Sequence, residues 1–320
     1  MAWIASTLVA IAAAVSCSGE RATLGLEEPI RVRATFKEGP LPGASPTTLD
    51  GGPAALPTVT AYESASTVVR PGQAGKVLSG RTTPGAVAVA VRFADLGSGY
   101  WVLPVGGPDP QNGGELVWQA DADFGIGLPP GLHPLRVVAI DALGNAGTQR
   151  DLGLCVTAAI ADNLNACNPT RNPPAAVISL SWDVPADLDL VVVGPSGRVI
   201  DAKHPRTEAD AGADAGDAGA AVGVIDRDSN AGCRADGLAR ESLVFQRAPA
   251  TGSYFVYVNL FDACGKGPAH FRASLVEAQL RADGVTQVPV ETLVRTGTLL
   301  PAEANGGARL GTFVFEIPFP

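Results

Sequence analysis

Leu180-Ser-Trp-Asp-Val-Pro-Ala-Asp-Leu-Asp-Leu-Val-Val-Val-Gly-Pro-Ser-Gly197 reads as the end of one strand, a short connection, a second strand and a Gly-Pro-Ser-Gly turn. In the second strand Asp187 and Asp189 alternate with Leu188 and Leu190. The two-residue period of extended backbone puts both carboxylates on one face and both leucines on the other. Working outward, β-type runs occur at 176–182, 187–193, 222–226, 242–246, 253–261, 271–279, 292–299 and 311–317, punctuated by Gly and Pro. Short strands at this spacing predict a β-sandwich over residues 175–320. Upstream, runs at 67–70, 86–93, 100–105, 115–120 and 135–141 predict another over 57–157, with 158–174 as an Asn-Pro-rich linker.

The 320 residues are 46% hydrophobic and 17% charged, with 38 glycines and 26 prolines. That composition describes a folded chain built from turns and strands rather than from long helices. Acids outnumber bases 32 to 23, for a net charge of -9 with no basic block. The long-range field therefore repels polyanions and argues against nucleic acid as a partner. The expected fold class is all-β, with two sandwich domains after a signal peptide (1–16) and a tether (17–56) that carries an alternating piece at 30–36. Residues 207–221 include the small-residue acidic repeat 209–220. It lacks the large apolar residues that a calcium-binding β-roll buries on each turn, and so reads as a flexible solvated loop.

Within the first domain, residues 129–145 resemble the last hairpin of bacterial immunoglobulin-like domains, with Asp141, Gly144 and Asn145 at the positions of the Asp-x-x-Gly-Asn turn. The resemblance implies an immunoglobulin-like sandwich. At the other end of the chain, the uncharged apolar run 4–16 is too short to span a bilayer, which takes about 20 residues, and has the length of a signal-peptide core. It leads into Ala14-Val15-Ser16-Cys17, which resembles a bacterial lipobox. That resemblance implies lipid on Cys17 and a membrane partner reached through the anchor. Ser18 in place of Asp points to the outer membrane, on its periplasmic face or the cell surface. An ordinary secretory peptide, or a buried apolar segment with a free thiol, is the plainer reading of the same residues.

Four further cysteines permit three pairings; sequence proximity and domain assignment favour Cys155 with Cys167 and Cys233 with Cys264. Such pairs fit an oxidising compartment, and the absence of a Cys-x-x-Cys pair argues against zinc.

The chemistry-bearing residues gather in the second domain. After Asp187 and Asp189 comes Gly223-Val-Ile-Asp-Arg-Asp-Ser-Asn-Ala-Gly-Cys233, with Asp226 and Asp228 again two apart, then Glu241. Trp182, Asp187, Asp189, Pro195, Gly197, Asp226, Asp228 and Glu241, followed by Gly252, Tyr254 and Val256, resemble a family of uncharacterised bacterial envelope domains. That family has bacterial surface lipoproteins of unknown function among its members. More loosely the pattern resembles pre-peptidase C-terminal domains. These resemblances imply a jelly-roll-like sandwich and no established activity. Converging carboxylates repel one another, and a hard cation relieves the repulsion; Ca²⁺ takes six to eight oxygens of this kind. Asp187, Asp189, Asp226, Asp228 and Glu241 are the expected ligands, although the spacing is not that of an EF-hand. The competing reading has these acids capping turns or pairing with Arg227, Arg234 and Arg240.

Catalysis has little to stand on. His133, His204 and His270 lack partners at metal-ligand spacing, and 194–197 lacks the Gly-x-Ser-x-Gly frame of a nucleophile elbow. The expected function is a non-enzymatic envelope lipoprotein that binds or scaffolds, with an envelope protein or a glycan as partner and calcium as the stabilising cation. The alternative is a carboxylate-dependent hydrolase in the second domain, which would need an aromatic-walled pocket around Asp187 and Asp226.

Overall fold

The structure, a computed structural model, describes residues 25–44, 56–207 and 222–320. The expected signal peptide, Cys17 and the acidic repeat lie outside them. Among the described residues the regular secondary structure is almost entirely β-strand, arranged as two sandwiches.

The first contains β1 (Ile30–Val32), β2 (Thr35–Glu38), β3 (Val59–Glu63), β4 (Val68–Val69), β5 (Lys76–Thr82), β6 (Ala88–Phe93), β7 (Gly99–Pro104), β8 (Leu116–Phe124), β9 (Gly131–Ile140) and β10 (Arg150–Val156). One sheet runs β1-β8-β5-β3 and the other β2-β7-β6-β9-β10-β4. Alternation is plain in β8, where Trp118, Ala120, Ala122 and Phe124 point inward between exposed Gln119 and Asp121. These side chains meet Val89, Val91, Phe93, Leu135 and Val137 of the facing sheet in one apolar core. Asp141 closes the hairpin between β9 and β10. Its Oδ1 accepts the N–H groups of Leu143 and Asn145 at 2.9 and 2.8 Å, and its Oδ2 accepts the Asn145 amide at 2.9 Å.

The tether expected at 17–56 is shorter than its composition implies. β1 pairs with β8 and β2 with β7, and Ile30 and Val32 are buried in the core. The Trp101 indole N–H donates to the Ile30 carbonyl at 2.7 Å. The Gly/Pro turns flanking these strands gave the segment the look of a spacer, while its few apolar side chains complete the sandwich.

The linker is stapled at both ends. Cys155 of β10 is joined to Cys167, as the sequence favoured. The side-chain amide of Asn163 donates to Gln246 Oε1 at 2.9 Å, and that of Asn165 to the Gln287 carbonyl at 3.0 Å, both in the second domain.

The second sandwich contains β11 (Ala176–Trp182), β12 (Asp187–Val193), β13 (Val199–Ile200), β14 (Gly223–Ile225), β15 (Arg240–Phe245), β16 (Gly252–Asp262), β17 (Ala269–Leu280), β18 (Gln287–Leu299) and β19 (Thr312–Phe319). Its sheets run β14-β15-β11-β17-β18 and β13-β12-β16-β19. Leu188, Leu190 and Val192 of β12 face Ile178, Leu180 and Leu243 across the core, with Phe245, Tyr254 and Phe319 filling one end. The other face of β12 carries Asp187 and Asp189, followed by Val191 and Val193. A second disulfide joins Cys233 to Cys264.

Ile30→Ala removes a fully buried side chain and should destabilise the protein by about 2–5 kcal/mol, measured by denaturant unfolding. A free tether would leave stability unchanged.

A candidate cation cleft on the second sandwich

β12 carries Asp187 and Asp189 to one end of the sandwich, where the connection from β14 to β15 folds across it. This connection is tightly wound: Asn230, Cys233 and Ala239 have positive φ, and Gly232 and Gly237 supply two more left-handed positions. Side chains fix it from within. Ser229 Oγ donates to Asp236 at 2.9 Å and accepts the Arg240 N–H at 3.2 Å, while the Asn230 amide donates to the Ala186 carbonyl at 3.0 Å. The Cys233–Cys264 disulfide ties the same loop to the β16–β17 turn.

The result brings together three of the five expected ligands. One carboxylate oxygen each from Asp187, Asp189 and Asp228 lies within 4.8 Å of the others. Two oxygens on opposite sides of a calcium ion stand about 4.6–5.2 Å apart, so a single ion fits among them. Asp187 is buried and its Oδ2 accepts the Gly232 N–H at 2.8 Å. Burial raises the Asp187 carboxyl above its ordinary range against that hydrogen bond, and the charges of Asp228 and Asp262 push it further. Asp189 is pushed up to about 7, first by burial and then by Asp187 and Asp228. Without a counter-charge these acids resist ionising together.

The other two expected ligands do different work. Glu241 is fully buried between the sheets; its Oε2 accepts the Leu190 N–H of β12 at 2.8 Å and its Oε1 the Ser229 N–H at 3.0 Å. β13 pairs only with Val192 and Val193, so the Leu190 N–H lies beyond its reach and Glu241 takes it. Burial pushes the Glu241 carboxyl up to about 9. Asp226 stands apart from the cluster: Oδ1 accepts the Ser242 N–H at 2.8 Å, and Oδ2 meets Arg227 Nε at 3.1 Å. For these two the turn-capping and ion-pair reading holds. Among the described residues neither Arg234 nor Arg240 bridges to a carboxylate.

Sequence reasoning missed Asn259. It stands opposite Asp189 in the β12–β16 register and is 2% exposed. Its Nδ2 donates to the Arg309 carbonyl at 2.9 Å, whereas its Oδ1 has no partner. A buried amide oxygen left unpaired costs roughly 1–3 kcal/mol, unless something fills the position. The available signal was an Asn interrupting the apolar run 254–261. A β-bulge at Asp187/Leu188 leaves Phe261 as the extra residue of β16 and shapes the cleft wall. The whole cleft has a volume of about 400 Å³; Lys203 and Arg309 join the acids in its lining, and Lys203 Nζ lies 5.7 Å above the Phe261 ring. The second group with metal-like spacing, Cys233, Asp262 and Cys264, has both thiols consumed by the disulfide.

Fold and site define an all-β, two-sandwich protein with an acidic cleft at the end of one sheet. No protein-family model matches the sequence, and no curated protein matches it.

The raised carboxyls set a pH dependence. Glu241 keeps its proton when folded and loses it near 4.5 when unfolded, so without added cation stability should fall as pH rises from about 4.5 to about 9. Asp189 adds to the same slope up to about pH 7. Urea unfolding between pH 5 and 9 in EDTA checks this; stability that climbs through the range would contradict it.

Proposed function

We propose that this chain is a non-enzymatic, exported protein of the cell envelope, held at the membrane by lipid on Cys17, whose second sandwich is a calcium-binding module. One observation carries the cation reading: Asn259, whose buried Oδ1 has no partner, lines the same cleft as Asp187, Asp189 and Asp228. Three carboxylates and an amide oxygen form a hard donor set, which selects calcium, magnesium or manganese over softer ions. A cage made mostly of protein carboxylates suits calcium, since magnesium keeps more of its water. Two disulfides support an oxidising compartment. No helix among the described residues is long and apolar enough to cross a membrane. Against the hydrolase alternative, Asp226 is outside the cleft, and Phe261, the one aromatic among the described residues of its lining, carries Lys203 over its ring.

The bound ion cancels the mutual repulsion of the three acids and links Asp228 of the already held 226–239 loop to the aspartates of β12. It thereby stabilises the rim of a cleft with room for a small ligand or a protruding side chain of a partner.

Thermal unfolding of the full chain in millimolar CaCl2, against EDTA, should show about 1–3 kcal/mol of added stability. Asp189→Asn should abolish the shift, and Asp226→Asn should keep it while lowering the baseline. No shift, or a shift that survives Asp189→Asn, would overturn the reading.

A further inference from the structure

A second cavity, of about 490 Å³, lies where the two sandwiches and the linker meet. Arg70 and Gln73 line it from the first domain, Asn163 from the linker, and Asp226, Arg227 and Arg240 from the second domain. Three arginines thus line one cavity in a chain whose net charge is -9.

Of the three, only Arg227 meets an acid of the wall in direct contact. Asp162 has both oxygens committed to backbone, accepting the Leu164 N–H at 3.0 Å and the Ala166 N–H at 2.9 Å. Asp226 is divided between the Ser242 N–H and Arg227 Nε. Among the described residues the side chains of Arg70 and Arg240 donate no hydrogen bond and bridge to no carboxylate. Arg240 is half-buried; burial and then Arg227 push its guanidinium below the usual arginine range, against a weaker opposing pull from Asp226 and Asp236. Arginine does not relieve such a position by losing its proton, so what these acids leave uncompensated is offset by a further anion.

We propose that this cavity binds a phosphate group, as the free ion or as a monoester, held between Arg70 of one domain and Arg240 of the other. The chemistry is the match between a planar fork of N–H donors and an oxyanion with several acceptor oxygens. The site is held in place because the linker is fixed: Cys155–Cys167 ties it to β10, and Asn163 and Asn165 tie it to Gln246 and Gln287. A ligand that touches both arginines binds only while the domains are docked, and therefore couples them. The inference stands independently of the cation cleft, which Arg70 and Arg240 do not line.

The test uses the full chain in EDTA at pH 7.5. Thermal unfolding and isothermal titration are followed with sodium phosphate, with glucose 6-phosphate, and with NaCl at matched ionic strength. Saturable binding of phosphate is expected, with a stabilisation that NaCl does not reproduce. Arg240→Gln and Arg70→Gln should each weaken it about tenfold or more, the loss of one charged hydrogen-bonding partner. Arg70 is exposed, so Arg70→Gln reads the site even where Arg240→Gln disturbs folding. Glucose 6-phosphate binding as tightly as phosphate assigns a phosphate ester; binding of phosphate alone assigns the free ion. Stabilisation equal to that by NaCl, or affinity unchanged in both variants, overturns the proposal.

Discussion

The second sandwich turns on Glu241. Its buried carboxyl receives one N–H from β12 and one from the loop after β14, so a single side chain of one sheet fixes both the facing strand and the loop that crosses it. Everything at the acidic end follows from that junction. With Leu190 held, Asp187 and Asp189 are presented outward; with Ser229 held, Asp228 is brought over them. Removing the carboxyl would leave two buried N–H groups without acceptors, a larger loss than one hydrogen bond is worth.

The same arrangement explains why the cleft is electrostatically poised. Asp189 is pushed up by burial and then by its acidic neighbours, and Asp189 and Asp228 in turn add to the burial that raises Glu241. A divalent ion among the three aspartates would lower all of these penalties together. The Cys233–Cys264 disulfide and the Ser229–Asp236 pair keep the loop in place whether or not the ion is bound, which makes the site prepared in advance rather than assembled on binding. Preparation of this kind reduces the ordering cost that binding must overcome.

Much of this was legible in the sequence where period and proximity suffice. The Asp-Leu-Asp-Leu alternation placed β12 and the face of its acids, and cysteine proximity gave both disulfides. What period cannot convey is register and depth. Asp226 and Asp228 repeat the spacing of Asp187 and Asp189, but the strand ends at Ile225, so the two part ways: one caps Ser242 and the other joins the cluster. Glu241 has the residue type of a ligand, and only its inward position on β15 reveals a structural role. Asn259 is 70 positions from Asp189 in sequence and becomes its neighbour through β12–β16 pairing. In the first domain, Gly80 and the charges of Lys76 and Arg81 masked β5, although Leu78 and Thr82 point into the sandwich.

The central claim is that one cation sits among Asp187, Asp189, Asp228 and Asn259. The most direct measurement is anomalous diffraction at long wavelength from crystals of the protein grown in calcium. The account predicts a single peak about 2.3–2.6 Å from carboxylate oxygens of the aspartates and from Asn259 Oδ1. An Asn259 Oδ1 satisfied by water with no peak beside it, or a peak centred instead on Asp226, would contradict it.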